Sequence, residues 1–120
     1  MNRFLLLIII CSILIGCDDI FMDDISDENI EIIAPVGNAY LNEETVSFVW
    51  ASIEGAQNYQ LIVVSPAFNN IQSFKYDTIT EDYKLKLMLP PGSYEWSIKG
   101  YNSAYNTNTS YGKFTIKAHE

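Results

Sequence analysis

From about residue 29 to residue 117, short segments of this chain alternate apolar and polar side chains with a period of two residues. In the segment TVSFVW, for example, Val46, Phe48 and Trp50 fall on one face. Successive side chains of a β-strand point to opposite faces, so this period is typical of strands with one buried face. No segment after residue 28 keeps a period of 3.6 residues for three turns. The pattern therefore predicts an all-β domain.

Turn-forming residues separate the alternating segments, as in Pro-Val-Gly-Asn at 35–38 and Pro-Pro-Gly at 90–92. The strands that we predict between the turns cover residues 29–34, 45–51, 57–64, 71–76, 82–89, 93–101 and 110–117. Seven short strands in about 90 residues are typical of a sandwich of two sheets. The edge strand at 71–76 has the weakest pattern.

Several motifs follow one another in a recognisable order. Trp50 closes the second strand, and Tyr59-x-Leu-x-Val follows in the third. Leu-Pro-Pro-Gly-Ser then leads to Tyr94, and Trp96 begins the motif Trp-x-Ile-x-Gly-x-Asn. Over residues 30–117 this order resembles a fibronectin type III domain, or a close immunoglobulin-like relative, of the kind found in bacterial surface proteins. The resemblance implies a seven-stranded immunoglobulin-like β-sandwich and a tyrosine corner, in which the Tyr94 hydroxyl bonds to the chain just upstream. The glycine in the last motif departs from the family's usual alanine.

Large aromatic side chains are the predicted core. The chain has eight Tyr, six Phe and two Trp, which is too many for a disordered chain. Trp50, Tyr59, Tyr94 and Trp96 are large enough to fill a space about 10 Å thick between two sheets. We expect these four residues to supply much of the buried surface.

The first 17 residues resemble a bacterial lipoprotein signal. Arg3 precedes an apolar run over 4–15, which is shorter than the roughly 20 residues of a membrane-spanning helix. Leu-Ile-Gly-Cys at 14–17 resembles a lipobox, whereas Cys11 follows an isoleucine and fails that pattern. The resemblance implies cleavage before Cys17, acylation of Cys17 and a mature chain without a disulfide. An uncleaved anchor, or a plain signal peptide in which Cys17 is incidental, remains open.

An acidic tether is predicted between the lipidated cysteine and the domain. Six of the eleven residues at 18–28 are acidic and none is basic, so like charges extend the segment. The alternatives are a solvated spacer, an export signal and a calcium site, the last of which lacks the usual ligand spacing. Acidic residues at this place resemble the surface-export signals of lipoproteins in one large group of Gram-negative bacteria. The chain is thus divided into a signal peptide at 1–16, a tether at 17–28 and a sandwich at 29–120.

No catalytic motif is present in the sequence. The single histidine, His119, is one residue from the end, and no nucleophile, phosphate-loop or metal-binding motif occurs. The paired carboxylates at 43–44 and 81–82 flank strands in polar surroundings, which favours solvated turns. With a net charge of −8, the chain also lacks the basic surface that nucleic acids require. We therefore predict a protein that is not an enzyme and has no cofactor, metal or nucleic-acid partner.

Aromatic and amide side chains in the loops are the candidate ligand-binding residues. The stretch 101–111 is rich in Tyr, Asn and Ser, the residues that recognition loops use. An ordinary hairpin with its tyrosines packed on the sheet rim is the alternative. At the opposite pole, two aromatic residues are expected to be exposed. The candidates are Tyr101, Tyr105, Asn106 and Asn108 in the stretch and Tyr40 and Phe68 at the opposite pole.

These predictions point to a binding or assembly module that is lipid-anchored in the outer membrane, faces the exterior and recognises a glycan or a protein through its loops. The alternative is a structural accessory subunit of an outer-membrane complex with no free ligand. Because the first strand starts at the pole of the 101–111 loop, we expect that loop to face the membrane unless the tether lets the domain turn over. Asp-Thr-Ile at 77–79 also resembles an acceptor for bacterial O-glycosylation at Thr78.

Overall fold

The computed structural model describes residues 22–118, which contain eight β-strands and no helix. Within that range there is accordingly no helix long and apolar enough to cross a membrane. The predicted signal peptide, Cys17 and His119 lie outside the described residues. The strands are β1 (Ile32–Ala34), β2 (Ala39–Leu41), β3 (Thr45–Trp50), β4 (Asn58–Ala67), β5 (Asn70–Thr80), β6 (Lys84–Met88), β7 (Gly92–Tyr101) and β8 (Ser110–Ile116).

The eight strands form two sheets packed face to face. One sheet has the order β1-β3-β6 and the other the order β2-β8-β7-β4-β5. Every pairing is antiparallel except that of β2 with β8, which is parallel. The predicted all-β sandwich is confirmed, whereas the predicted count of seven strands is wrong because β2 was missed.

Strand β2 escapes sequence analysis because it has only three residues, too few for a visible alternation. It follows a turn in which Gly37 and Asn38 both have positive φ, at 64° and 58°. That turn carries the chain from β1 in one sheet to the other sheet, where Tyr40 lies opposite Thr115 of β8. Tertiary pairing therefore creates this strand, and the local sequence contributes only the turn.

Strand β5 is longer than predicted and extends through Thr80. It pairs with β4 along its whole length, from Ala67 opposite Asn70 to Tyr59 opposite Thr80. The register shifts at two places, and one of them accommodates Pro66 near the end of β4. Its partner strand, rather than its own weak pattern, sets the length of this edge strand.

The space between the sheets is filled largely by aromatic rings. Trp50, Tyr59, Tyr94 and Trp96 all lie buried in one cluster, together with Phe48. The Phe48 and Trp96 ring centroids lie 4.9 Å apart, and those of Trp50 and Tyr59 lie 5.7 Å apart, both with edge-to-face geometry. The Tyr94 hydroxyl donates a hydrogen bond to the carbonyl of Pro90, which is the tyrosine corner that the resemblance implies.

The second half of the predicted tether is part of the folded structure. The side chain of Ile25 is only 1 % exposed, and residues 22–28 lie beside the loop that joins β7 to β8. The expectation of an extended spacer, free of the domain, is therefore wrong for these residues, although the acidic side chains in 23–28 are exposed to solvent as expected. An apolar side chain within the acidic run finds a buried site on the domain, and its burial outweighs the repulsion between exposed carboxylates.

Candidate recognition surface

The outer face of the five-stranded sheet carries four large exposed apolar side chains, three of them aromatic. Tyr40 on β2, Tyr111 on β8, and Phe74 and Ile79 on β5 share this face and are 66, 57, 67 and 59 % exposed. Aromatic side chains are enriched at interaction sites. We call the outer face of β2, β8, β7, β4 and β5 the aromatic face.

The strands of the three-stranded sheet present lysine and aliphatic side chains on their outer face. Ser47 of β3 lies opposite Lys86 of β6, and Val49 lies opposite Lys84. Both lysines are exposed, and the exposed apolar side chains on the strands of this sheet are aliphatic, namely Ile33 on β1 and Met88 at the end of β6. The strands of the two outer faces therefore differ in their aromatic content, which makes the aromatic face the candidate binding surface.

At the centre of the aromatic face, the ring of Phe68 packs edge-to-face on the ring of Tyr111, with centroids 5.4 Å apart. Phe68 lies in the turn between β4 and β5, and its backbone N–H donates to Glu95 Oε1 at 2.8 Å. The turn is thereby held back over the sheet. A pocket of about 280 Å³ results, lined by Phe68, Asn69, Glu95, Tyr111 and Lys113.

One further hydrogen bond and one buried side chain show how the hairpin that carries Phe68 is held. The Ser65 hydroxyl donates to the carbonyl of Ser93 at 2.9 Å, which joins β4 to the start of β7. Val64, opposite Glu95 on the aromatic face, is fully buried. An apolar residue buried on the outer side of a sheet needs a cover, and the returning hairpin lies over this part of the face.

The polar groups of the pocket comprise both donors and acceptors. Glu95 and Lys113 lie opposite each other on β7 and β8, so their charges balance across the pocket. Glu95 uses Oε1 for the Phe68 amide, and a carboxylate has further acceptor capacity on its second oxygen. Lys113 is an exposed donor, and Asn69 has both a donor and an acceptor. This arrangement suits a ligand with a flat apolar face and polar groups at its rim.

The predicted loop residues occupy different environments. Tyr101 lies in β7 opposite Asn58 and is half-buried, whereas Tyr105 and Asn106 are exposed in the loop. The Asn108 side chain is exposed but donates to Asn29 Oδ1 at 3.1 Å, and its backbone pairs with the same residue. The loop is therefore partly occupied by the chain that precedes β1.

The loop is organised by two buried polar residues, Asn102 and Thr107, that were not among the predicted site residues. Asn102 Oδ1 accepts hydrogen bonds from the backbone N–H groups of Ala104 and Tyr105. Thr107 Oγ1 accepts from the Gly100 amide at 2.9 Å, and the Thr107 amide donates to the Gly100 carbonyl. The signal available in the sequence was an Asn that begins a polar turn, where it is free to bond its own backbone.

The remaining candidate residues are also placed by the structure. Phe68, expected as an exposed aromatic tip, is instead half-buried against Tyr111, because its hairpin folds back over the sheet. Tyr40 is exposed and borders a second groove, of about 570 Å³, between β1, β2 and β3. Thr78 lies within edge strand β5 and is half-buried, and its glycosylation stays a prediction.

In the range 22–118, no group of three or more His, Cys, Asp and Glu side chains lies close enough to hold a metal ion. The carboxylates of Asp23, Asp24, Asp27 and Glu28 thus do not converge. Asp24 instead accepts hydrogen bonds from the amide and hydroxyl of Ser26, which lower the pKa of its carboxyl.

Solved structures resemble this architecture. The fibronectin(III)-like modules of Clostridium thermocellum CbhA align with a TM-score of 0.55 at 13 % identity, over 77 % of this chain and 100 % of theirs. The fn3 domain of human collagen alpha-1(XX) aligns with a TM-score of 0.57 at 16 % identity, over 88 and 96 % of the two chains. This is the fibronectin type III fold.

A third structure with this fold is a much larger protein. Part of the Paenibacillus chitinase ChiW, described as a cell-surface-expressed multi-modular enzyme machinery, aligns with a TM-score of 0.54 at 14 % identity. The match spans 86 % of this chain and 10 % of the chitinase. No family model matches the sequence, and no curated protein matches it. The similarity at these identities concerns the fold.

Proposed function

We propose that this protein is a non-enzymatic binding module, anchored by acylated Cys17 in a bacterial outer membrane and facing the exterior. The lipobox-like sequence before Cys17 and the acidic residues after it support the anchor and the export. Fibronectin type III-like modules also occur in surface-associated multi-modular proteins, as the chitinase illustrates. In cell fractionation we expect the protein to be recovered with the membranes and the Cys17→Ser variant to be lost from them. A Cys17→Ser variant that stays with the membranes at the mature mass would contradict acylation of Cys17.

We propose that the module binds a glycan at the Phe68–Tyr111 pocket. The observation that carries this proposal is the edge-to-face pair at 5.4 Å, flanked by Glu95, Asn69 and Lys113. Aromatic rings offer flat apolar surfaces to the C–H face of a sugar ring, and the surrounding side chains can donate to and accept from its hydroxyls. The binding residues thus belong to the sheet and its returning hairpin more than to the loop after β7.

A glycan array, followed by titration calorimetry with any sugar that binds, tests this proposal. We expect Tyr111→Ala to lower the affinity at least tenfold, about 1.4 kcal/mol, because it removes the exposed ring of the pair. Tyr83→Ala is the matched control, since Tyr83 is equally exposed but lies beside β6, away from the pocket. Equal losses in both variants, or full affinity in Tyr111→Ala, would refute the site.

A second candidate function is that of an accessory subunit of an envelope complex, and the geometry of β5 favours it. This strand has eleven residues, is at the edge of the five-stranded sheet, and carries the exposed Phe74 and Ile79. Such an edge can accept a strand from another protein. Crosslinking on intact cells would then capture one large envelope protein. We expect Ile79→Lys to reduce the amount captured. Met88→Lys, on the other sheet, should leave that amount unchanged.

A further inference from the structure

The N-terminal residues 23–28, which we call the latch, are held against one end of the sandwich. The carbonyl of Asp23 accepts a hydrogen bond from Asn102 Nδ2 at 2.9 Å, and the carbonyl of Glu28 accepts from the Asn108 amide at 3.0 Å. Between these two points, Ile25 is 1 % exposed. The latch is therefore fastened to the loop between β7 and β8 at both of its ends and is buried in the middle.

The domain is shaped to receive the latch. Gly55 has a φ of 95°, and a Cβ at this position would lie 2.7 Å from Cβ of Asp23. A glycine is thus required both by the backbone conformation and by the close approach of the latch. Asn102 joins the two elements, because its amide group also donates to the carbonyl of Gly55 at 3.1 Å. We call the end formed by the latch, the turn at 54–55 and the loop at 102–109 the loop pole.

Docking of the latch changes how far the domain can move from its anchor. If the chain were free up to Asn29, twelve Cα–Cα steps from Cys17 would reach about 43 Å. With Asp23 held at the loop pole, six steps remain, which reach about 22 Å at most. The ten-residue strand β7 gives the sandwich a height of about 33 Å. The free link exceeds that height and the latched link does not.

We propose that the latch holds the loop pole toward the lipid leaflet that carries the anchor and prevents the domain from turning over. The proposal rests on the proposed acylation of Cys17. A link shorter than the sandwich cannot run past it to bring the opposite pole to the membrane. Because removing the exposed carboxylates of the latch from water is costly, the pole faces the leaflet without inserting into it. The aromatic face then stands at the side of the domain, accessible to a partner.

Förster resonance energy transfer between the acylated protein and the bilayer tests this orientation. The protein is reconstituted in phosphatidylcholine vesicles that contain an acceptor-labelled lipid, with a donor dye on Ser103→Cys at the loop pole or on Asn42→Cys near the opposite pole. Both positions are exposed. We expect several-fold higher transfer efficiency from position 103. Equal efficiencies in vesicle-bound protein would overturn the proposal without touching the anchor or the glycan site. Protein that does not bind the vesicles at all would overturn both the anchor and the orientation.

A pair of variants isolates the contribution of the latch. Ile25→Asp places a charge in the buried site and should release the segment, so that the efficiencies at the two positions converge. Ile33→Asp is the same change at an exposed position on β1 and should preserve the difference. A full difference in Ile25→Asp would contradict the role of the latch.

Hydrogen exchange on the unmodified sequence provides a readout that does not depend on the folding of a variant. The amides of Glu28 and Asn108 donate to Ile25 and Glu28, respectively, and should exchange slowly in the detergent-solubilised protein. Exchange of both amides at the rate of an unstructured chain would overturn the proposal.

Discussion

The side chain of Asn102 and the backbone carbonyl of Asp23 are hydrogen-bonded at 2.9 Å, although 79 positions separate the two residues in the chain. Asn102 Nδ2 also donates to the carbonyl of Gly55. Asn102 Oδ1 accepts hydrogen bonds from two backbone amides of the loop between β7 and β8. One buried polar side chain thus connects the N-terminal segment, a turn and a loop. Such a fully bonded side chain is costly to remove, because its partners stay buried without it.

Removal of this side chain is the first prediction. We expect Asn102→Ala to lower the free energy of unfolding by about 2–3 kcal/mol, since several backbone groups lose a partner. Asn106→Ala, at an exposed position of the same loop, should change it by less than about 0.5 kcal/mol. Denaturant unfolding monitored by tryptophan fluorescence measures both values. Similar small effects in the two variants would show that Asn102 does not organise this pole.

The two tryptophans should respond differently to replacement by phenylalanine. Trp96 Nε1 donates to the buried carbonyl of Pro35 at 3.0 Å, whereas Trp50 Nε1 is buried and has no partner among the described residues. Both substitutions remove the same atoms from the core, so the cavity terms are similar. We expect Trp96→Phe to cost about 1–2 kcal/mol more than Trp50→Phe, because it leaves the Pro35 carbonyl unpaired. Thermal and denaturant unfolding of both variants provide the comparison, and equal costs would contradict it.

Two glycines in the sheet should also differ. A Cβ at Gly112 would lie 2.7 Å from Trp96 Nε1 and 2.8 Å from the Pro35 carbonyl, so Gly112→Ala has to disturb that hydrogen bond. A Cβ at Gly100 would lie 3.2 Å from Tyr59, a distance that small shifts can relieve. We expect Gly112→Ala to cost about 1–3 kcal/mol and Gly100→Ala clearly less. Unfolding free energies measure this order, and its reversal would argue against the packing around Trp96.

Alkaline pH should weaken the fold through Tyr94. Burial raises the pKa of its phenol above the usual 10.0, and the nearby carboxylate of Glu44 raises this pKa further. The folded state therefore holds this proton more tightly than the unfolded state does. The resulting stability is fully present below pH 10 and is lost as the pH rises through the raised pKa.

The matched variants for this prediction are Tyr94→Phe and Tyr111→Phe. The first removes the buried phenol and should flatten the decline of the unfolding free energy above pH 10, whereas the second removes an exposed phenol and should leave the decline in place. Urea unfolding at a series of pH values from 8 to 11.5 distinguishes them. An unchanged slope in Tyr94→Phe would mean that other groups cause the alkaline sensitivity.

The alternation of side chains predicted those parts of the fold that depend on local pattern. Strands β3, β7 and β8 and the aromatic core around Trp50 and Trp96 follow from it, since a half-buried strand must repeat every two residues. The three residues of β2 and the extension of β5 to Thr80 depend on pairing with a neighbouring strand. A strand whose bounds are set by its partner leaves little trace in a short local window of its own sequence.

The candidate site shows the same division more sharply. The all-β class, the sandwich core and the concentration of acidic residues in 18–28 follow from the amino-acid pattern alone. The burial of Ile25 and the packing of Phe68 on Tyr111 become visible in the folded chain. An isolated isoleucine between acidic residues, or one aromatic residue in a turn, has no period that predicts its partner. Its position depends on the surface that other strands assemble, where burial of the side chain and hydrogen bonds to the backbone on either side of it hold the segment in place.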